Sequence, residues 1–229
     1  MLNSHGNKSI EEDAILYVKK EKATIIEKVV GLTPPAKESV AIFMAGSPGA
    51  GKTEFSRHFL AKQFKPNSVV RIDPDEIREE LPGYNGQNAY LFQGAVSLAV
   101  EKILDYVFHN NIHFLLDGTL SHLEVARKNV KRAIKNGRLV QVNYVYQPKQ
   151  VAWEYTKARE KIMNRKITKE IFNRGFEDAK KVVTIIKKEF KEDVRVDLII
   201  RNVKNNKYKY YFNVGIDEIK SVDKKGNLL

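Results

Sequence analysis

The stretch VAIFMAGSPGAGKTEF, residues 40–55, runs from six apolar residues straight into a glycine-rich loop. Gly46, Gly51, Lys52 and Thr53 meet the spacing G-x-x-x-x-G-K-[ST] without a mismatch. The apolar run is short and lacks polar alternation, as a strand buried on both faces requires. Gly46, Gly49 and Gly51 permit backbone angles that a Cβ would block. The loop Gly46, Ser47, Pro48, Gly49, Ala50 and Gly51 therefore reads as a cradle for phosphates. Its amide groups converge at the positive end of the helix that follows. Lys52 is placed to reach the β- and γ-phosphates of ATP, and the Thr53 hydroxyl to ligate Mg²⁺. A turn without a ligand is the competing reading, and the strand–loop–helix context speaks against it.

Outward from this loop the pattern alternates between strand and helix. A helix is expected to about residue 63, a strand over 68–72, a long helix over 89–108 and a strand over 112–116. A helix over 121–136 with Ser121 as its cap, a strand over 139–146, and helices near 149–163 and 168–190 follow. Residues 194–201 and 207–213 read as a strand hairpin about Asn205-Asn206. This alternation implies an α/β fold, a P-loop NTPase-type three-layer sandwich with a mostly parallel central sheet. Ahead of it, residues 9–31 repeat apolar side chains at the helical period, and Pro34-Pro35 ends that helix.

Composition narrows the class. The chain has no cysteine, which excludes disulfides, thiolate nucleophiles and Cys-based zinc sites. A hydrophobic content of 42% suffices for a packed core and excludes a wholly disordered chain. No apolar stretch approaches the ~20 residues that span a bilayer, and the N-terminus lacks a signal peptide's apolar segment. A cytoplasmic protein with no membrane partner is expected. The net charge of +12 attracts nucleotides, phosphorylated sugars, nucleic acids and anionic membranes alike, so it does not choose among them. The densest basic stretch, from Arg127 to Arg138, reads as an amphipathic helix with a solvated basic face.

Ligands of such sheets bind at the carboxyl ends of strands, where Gly46, Asp73 and Asp117 all fall. RIDPDEIREELPGY, residues 71–84, sets Asp73 and Asp75 at a strand end, with Arg78 a turn further on. A kinase needs a carboxylate to accept or orient the proton of the attacking hydroxyl. Asp73 also suits a helix cap with Pro74 at the first helical position, which leaves Asp75 as the working group. HFLLDGT, residues 113–119, ends an apolar strand in Asp117, a carboxylate suited to holding Mg²⁺; a plain Asp-Gly turn is the alternative. Thr119 shares that loop. Arg159 and Arg165 bracket a helix end and a loop, where a mobile segment delivers positive charge to a phosphoryl group. Either arginine alone also fits an ordinary surface position.

Together, GSPGAGKT, IDPDEIREELPGY, Glu101 in the long helix, LLDGT and the late arginines resemble the zeta toxin family of P-loop kinases over roughly residues 39–215. The resemblance implies Asp75 as catalytic base and Arg159 and Arg165 as phosphate-contacting arginines. It implies Glu101 and Thr119 as contacts to a sugar-nucleotide substrate, with Asp73 and Arg78 beside them. The implied activity is ATP-dependent phosphorylation of the 3′-hydroxyl of UDP-N-acetylglucosamine, which starves cell-wall synthesis, and the implied protein partner is an antitoxin. Asp117 stands where the family usually has Glu, and no His precedes Pro82. The expected partition is an N-terminal helical extension, residues 1–38, and a P-loop kinase domain, residues 39–229, with a lid and arginine region at about 149–175. On the residues alone two alternatives stay open. One is a polynucleotide or nucleoside kinase, which the positive charge permits; the other is a non-catalytic nucleotide-binding module.

Overall fold

The computed structural model describes residues 4–163, 167–202 and 207–221. The turn expected at Asn205-Asn206 lies outside them. Six strands form one sheet: β1 (Val40–Ala45), β2 (Val70–Ile72), β3 (Phe114–Leu116), β4 (Leu139–Tyr146), β5 (Val194–Asn202) and β6 (Lys207–Tyr211). Their order is β2-β3-β1-β4-β5-β6, parallel throughout except for β6, which runs antiparallel to β5. Strand β1 thus sits between β3 and β4, with Ala41 in register with both Phe114 and Val140. That is the point where successive connections leave the sheet in opposite directions, and it opens a crevice beyond the strand ends.

Successive side chains of β1 alternate between two buried layers. Ala41, Phe43 and Ala45 join the larger core, whereas Ile42 and Met44 join the smaller one. Helices α5 (Gln93–His109), α6 (Leu123–Lys135) and α8 (Lys169–Phe190) supply the larger core with Ile103, Val130 and Ile186 among others. Helix α3 (Lys52–Gln63) closes the opposite face through Phe55. Burial on both faces explains why the β1 sequence shows no polar alternation. No helix among the described residues is long and apolar enough to cross a membrane.

Several boundaries differ from the periodic pattern. The single helix expected over 9–31 is two, α1 (Ser4–Lys20) and α2 (Lys22–Val30), broken at Glu21. Both rest on α5 and place Ala14, Val18 and Val30 in the larger core. The break lets the chain follow α5 without disturbing the apolar period, so the period hides it. Strand β2 begins only at Val70, because the Ser68 N–H turns back to the Lys65 carbonyl. The helix expected from residue 89 opens as a 3₁₀ turn over Ala89–Phe92 before α5. His122, not Ser121, occupies the cap of α6, since the Ser121 hydroxyl pairs with Thr119 Oγ1 at 2.8 Å. Helices α4 (Pro74–Glu79), α7 (Lys149–Met163) and the unanticipated α9 (Ile216–Ser221) complete the described elements.

Phe43 is fully buried at the middle of β1 and meets Phe114 edge-to-face at 5.7 Å. Phe43→Ala is expected to lower the unfolding free energy by about 3–5 kcal/mol, measured by urea denaturation, through the cavity it leaves.

Candidate active site

The loop after β1 bends through three glycines with φ of +142° (Gly46), +72° (Gly49) and +87° (Gly51). Space is as restrictive as angle. A methyl group on Gly46 would lie 2.3 Å from the Val145 carbonyl oxygen, and one on Gly49 2.1 Å from that of Ala152. The loop is therefore clamped between the end of β4 and the first turns of α7. Pro48 in turn sits where a methyl on Gly175 of α8 would meet it at 3.3 Å. The Gly46 N–H donates to the Thr119 carbonyl at 3.1 Å, which ties this loop to the one after β3. Lys52 folds back and donates from Nζ to the Ser47 carbonyl at 2.8 Å.

A cleft of about 550 Å³ opens over this loop. Pro48, Gly49, Lys52 and Thr53 line it from the loop side. Asp73, Asp75, Arg78, Asp117 and Thr119 line it from the ends of β2 and β3, and Glu101 and Arg159 from α5 and α7. Gly46, Ser47, Ala50 and Gly51 are buried and do not line the cleft. Arg165 lies outside the described residues.

Each carboxylate in the cleft has a defined setting. Asp73 caps α4: its Oδ1 accepts the Asp75 N–H at 2.8 Å, with Pro74 in the first helical turn. Its Oδ2 accepts from Arg71 Nη2. Burial pushes the Asp73 carboxyl above its ordinary range; Arg71 opposes the shift and Asp117 adds to it. Asp75 accepts from Arg78 Nη1, and Arg78 Nη2 donates to Gln93 at 3.2 Å, so a buried guanidinium orients the half-exposed carboxylate. Asp117 Oδ2 accepts from Ser56 Oγ at 2.6 Å and from Arg71 Nε and Nη2 at 3.0 and 2.7 Å. Asp117 Oδ1 is buried with no hydrogen-bond partner among the described residues.

A model of the family described as zeta toxin matches residues 23–213. The chain belongs to the zeta toxin family. Toxin PezT of Streptococcus pneumoniae serotype 4 (strain ATCC BAA-334 / TIGR4) is 28% identical over 114 residues, 47% of this chain and 44% of PezT. The match thus spans less than half of that relative. A solved structure of the PezAT chromosomal toxin-antitoxin system of the same species superposes with a TM-score of 0.67 at 18% identity, over 85% of this chain and 80% of the other. The structure of AvrRxo1-ORF1:-ORF2 with ATP gives 0.62 at 13% identity, over 96% and 73%. These likenesses are of fold, the α/β arrangement of P-loop kinases.

Within the zeta toxin frame, two features of the cleft escaped the motif reading. Ser56 and Arg71 hold Asp117, although the motif spacing assigns neither a role. Arg71 did leave a signal, a lone charge between Val70 and Ile72 in a strand that must pack, which demands buried partners. The basic face of α6 is the second feature. Lys128 and Arg132 line the cleft and pair with Glu101 and Asp105 of α5, each at 2.8 Å, so the face is not merely solvated.

Burial lowers the pKa of Lys52 to about 8, with Asp117 and Asp75 pulling it up and Arg159 pushing it down. Bound phosphates favour the ammonium, so ATP binding raises this pKa. At pH 8.5 binding should therefore take up a proton at Lys52, and at pH 7 the ammonium is already formed and none is needed. Above pH 8 affinity should fall toward about tenfold per pH unit. Calorimetry in buffers of different ionisation enthalpy measures the uptake, which should vanish in Lys52→Met.

Proposed function

We propose that this chain is an ATP-dependent kinase of zeta-toxin type that phosphorylates a hydroxyl of a nucleotide sugar such as UDP-N-acetylglucosamine. One observation carries the proposal. A single cleft is lined by the phosphate-loop lysine Lys52, by the Arg78-held carboxylate of Asp75, and by Glu101 and Thr119. Its volume of about 550 Å³ lies within the range of small-molecule sites, ~300–1,000 Å³.

On this proposal the loop amides and the Lys52 ammonium hold the β- and γ-phosphates and neutralise their charge. Asp75 takes the proton of the acceptor hydroxyl as its oxygen attacks the γ-phosphorus; the bond from that phosphorus to the β–γ bridging oxygen breaks, and ADP leaves. Arg78 orients Asp75, and Arg159 adds positive charge from α7. Glu101 and Thr119 position the sugar nucleotide, while Asp73 serves first as the cap that aims Asp75. Thr53 and Asp117 fit the role of Mg²⁺ holders, because the buried Asp117 Oδ1 is an acceptor in need of a partner. When bound, the ion supplies charge neutralisation to the β- and γ-phosphate oxygens. The PezAT likeness supports an antitoxin protein as a further partner, acting with the toxin in the cytoplasm.

The test is phosphoryl transfer from labelled ATP to UDP-sugars, nucleosides and 5′-hydroxyl oligonucleotides. A phosphorylated UDP-sugar is expected. Asp75→Asn should reduce its formation by ~10²–10⁴-fold while calorimetric ATP affinity stays near wild type. Asp73→Asn should act chiefly on stability, as loss of a cap does. Strong oligonucleotide phosphorylation with no response to any UDP-sugar would replace this proposal with a polynucleotide kinase.

A further inference from the structure

We propose that Arg71 is a positioning residue, a brace that sets where Asp75 stands relative to the transferring phosphate. The inference rests on the kinase proposal for the role of Asp75, and on the geometry around Arg71 for the brace itself. Two helices must keep a fixed separation for that role. Helix α3 begins at Lys52 and carries the phosphate-holding side chains, and α4 carries Asp75 in its first turn. They pack on opposite faces of the sheet: Phe55 of α3 lies in the smaller core, whereas Ile77 of α4 lies in the larger one. Among the described residues, neither core takes side chains from both helices, so apolar packing does not set the distance between them.

Arg71 joins them. Val70 and Ile72 enter the larger core, so the side chain between them leaves the sheet on the α3 side. There its Nε donates at 3.2 Å to Ser56 Oγ, one turn along α3 from Lys52, and at 3.0 Å to Asp117 Oδ2. Nη2 donates to the same Asp117 oxygen at 2.7 Å, which fixes the guanidinium to the end of β3. The remaining bonds reach the first turn of α4. Nη2 donates to Asp73, the cap whose Oδ1 accepts the Asp75 N–H, and Nη1 donates at 2.8 Å to Glu76, the residue after Asp75. Asp75 thus lies between two grips of one planar, permanently charged group. The side chains of Arg71, Asp73 and Asp117 are only 13%, 8% and 1% exposed, so water does little to screen the corner. A second link between the helices, Arg57 to Glu76, is exposed at both ends and contributes little. Arg78 holds the Asp75 carboxylate from within α4, and Arg71 holds the turn that carries it. A reacting group displaced by about 1 Å can cost ~10²-fold in rate with every binding contact intact.

The first measurement needs no turnover. In the nucleotide-free full chain, Arg71→Met should speed amide hydrogen exchange across residues 73–80 at least about tenfold, with α5 near wild type. Unchanged exchange there overturns the brace, whatever the enzyme turns over. The second reads phosphoryl transfer per folded molecule at saturating Mg²⁺, below the melting temperature of each variant. Arg71→Met should lower kcat at least about tenfold, while the KM for ATP stays within about twofold. Arg71→Lys keeps the charge without the fork and should fall between. Glu76→Gln loosens one grip at a half-exposed position; it should lower kcat at least about threefold and add little to Arg71→Met. Arg57→Met, which breaks only the exposed link, should match wild type. A raised KM with unchanged kcat, or a lower melting temperature with neither changed, overturns the proposal. Should Arg71→Met not fold, Glu76→Gln decides: wild-type exchange and wild-type kcat overturn it. A wild type that phosphorylates no acceptor overturns the kinase proposal instead, and the exchange measurement still decides the brace.

Discussion

Two glycines of the phosphate loop leave no space for a side chain, and much of the site's geometry follows from that close approach. Gly46 lies against the Val145 carbonyl of β4, and Gly49 against Ala152 and Thr156 of α7. A loop packed this tightly is set by its neighbours as well as by its own torsions. Because β1 runs between β3 and β4, the loop emerges with a strand end on either side. Its Gly46 N–H bonds to the Thr119 carbonyl after β3. The approach of Gly49 to Ala152 and Thr156 fixes α7 against the loop, so Arg159, two turns beyond Ala152, reaches the cleft from a helix anchored on that loop.

The second organising feature is that the cleft's acids are each assigned a cation. Asp75 is held by Arg78, Asp73 and Asp117 by Arg71, and Glu101 by Lys128. In a chain of net charge +12, this pairing holds the carboxylates in fixed orientations before any ligand arrives. Preorganised charge of this kind needs little rearrangement when charge moves during reaction. Lys52 holds its proton less firmly than an ordinary lysine, since burial outweighs the pull of Asp117 and Asp75. It rests on the Ser47 carbonyl. On the kinase proposal a phosphate anion answers that deficit directly, and nucleotide binding is then tied to the protonation of one lysine.

The legible parts of this protein were local ones. The spacing of Gly46, Gly51, Lys52 and Thr53, the apolar run before it, and Asp73-Pro74 as a helix start each lie within a few residues, where torsional and capping preferences act directly. The strand–helix alternation was legible for the same reason, and with it the fold class. The break at Glu21 was not, because the apolar period passes through it unchanged. Nor was the cap at His122, which depends on the Ser121 hydroxyl being drawn to Thr119.

What the sequence by itself determined was the kind of chemistry available: a loop that must bend through glycines, a lysine and a hydroxyl at its end, and acids at strand ends. What only the tertiary structure decided was which charge holds which. Ser56 and Asp117 are 61 positions apart, and Arg71 and Asp117 46, yet they share one buried hydrogen-bonded corner. Their meeting depends on the order β2-β3-β1, which places the ends of β2 and β3 side by side with α3 above them. Periodicity in the chain reports which face of an element is buried. It carries no record of which element lies next to it, and in this site the adjacent element supplies the counter-charge.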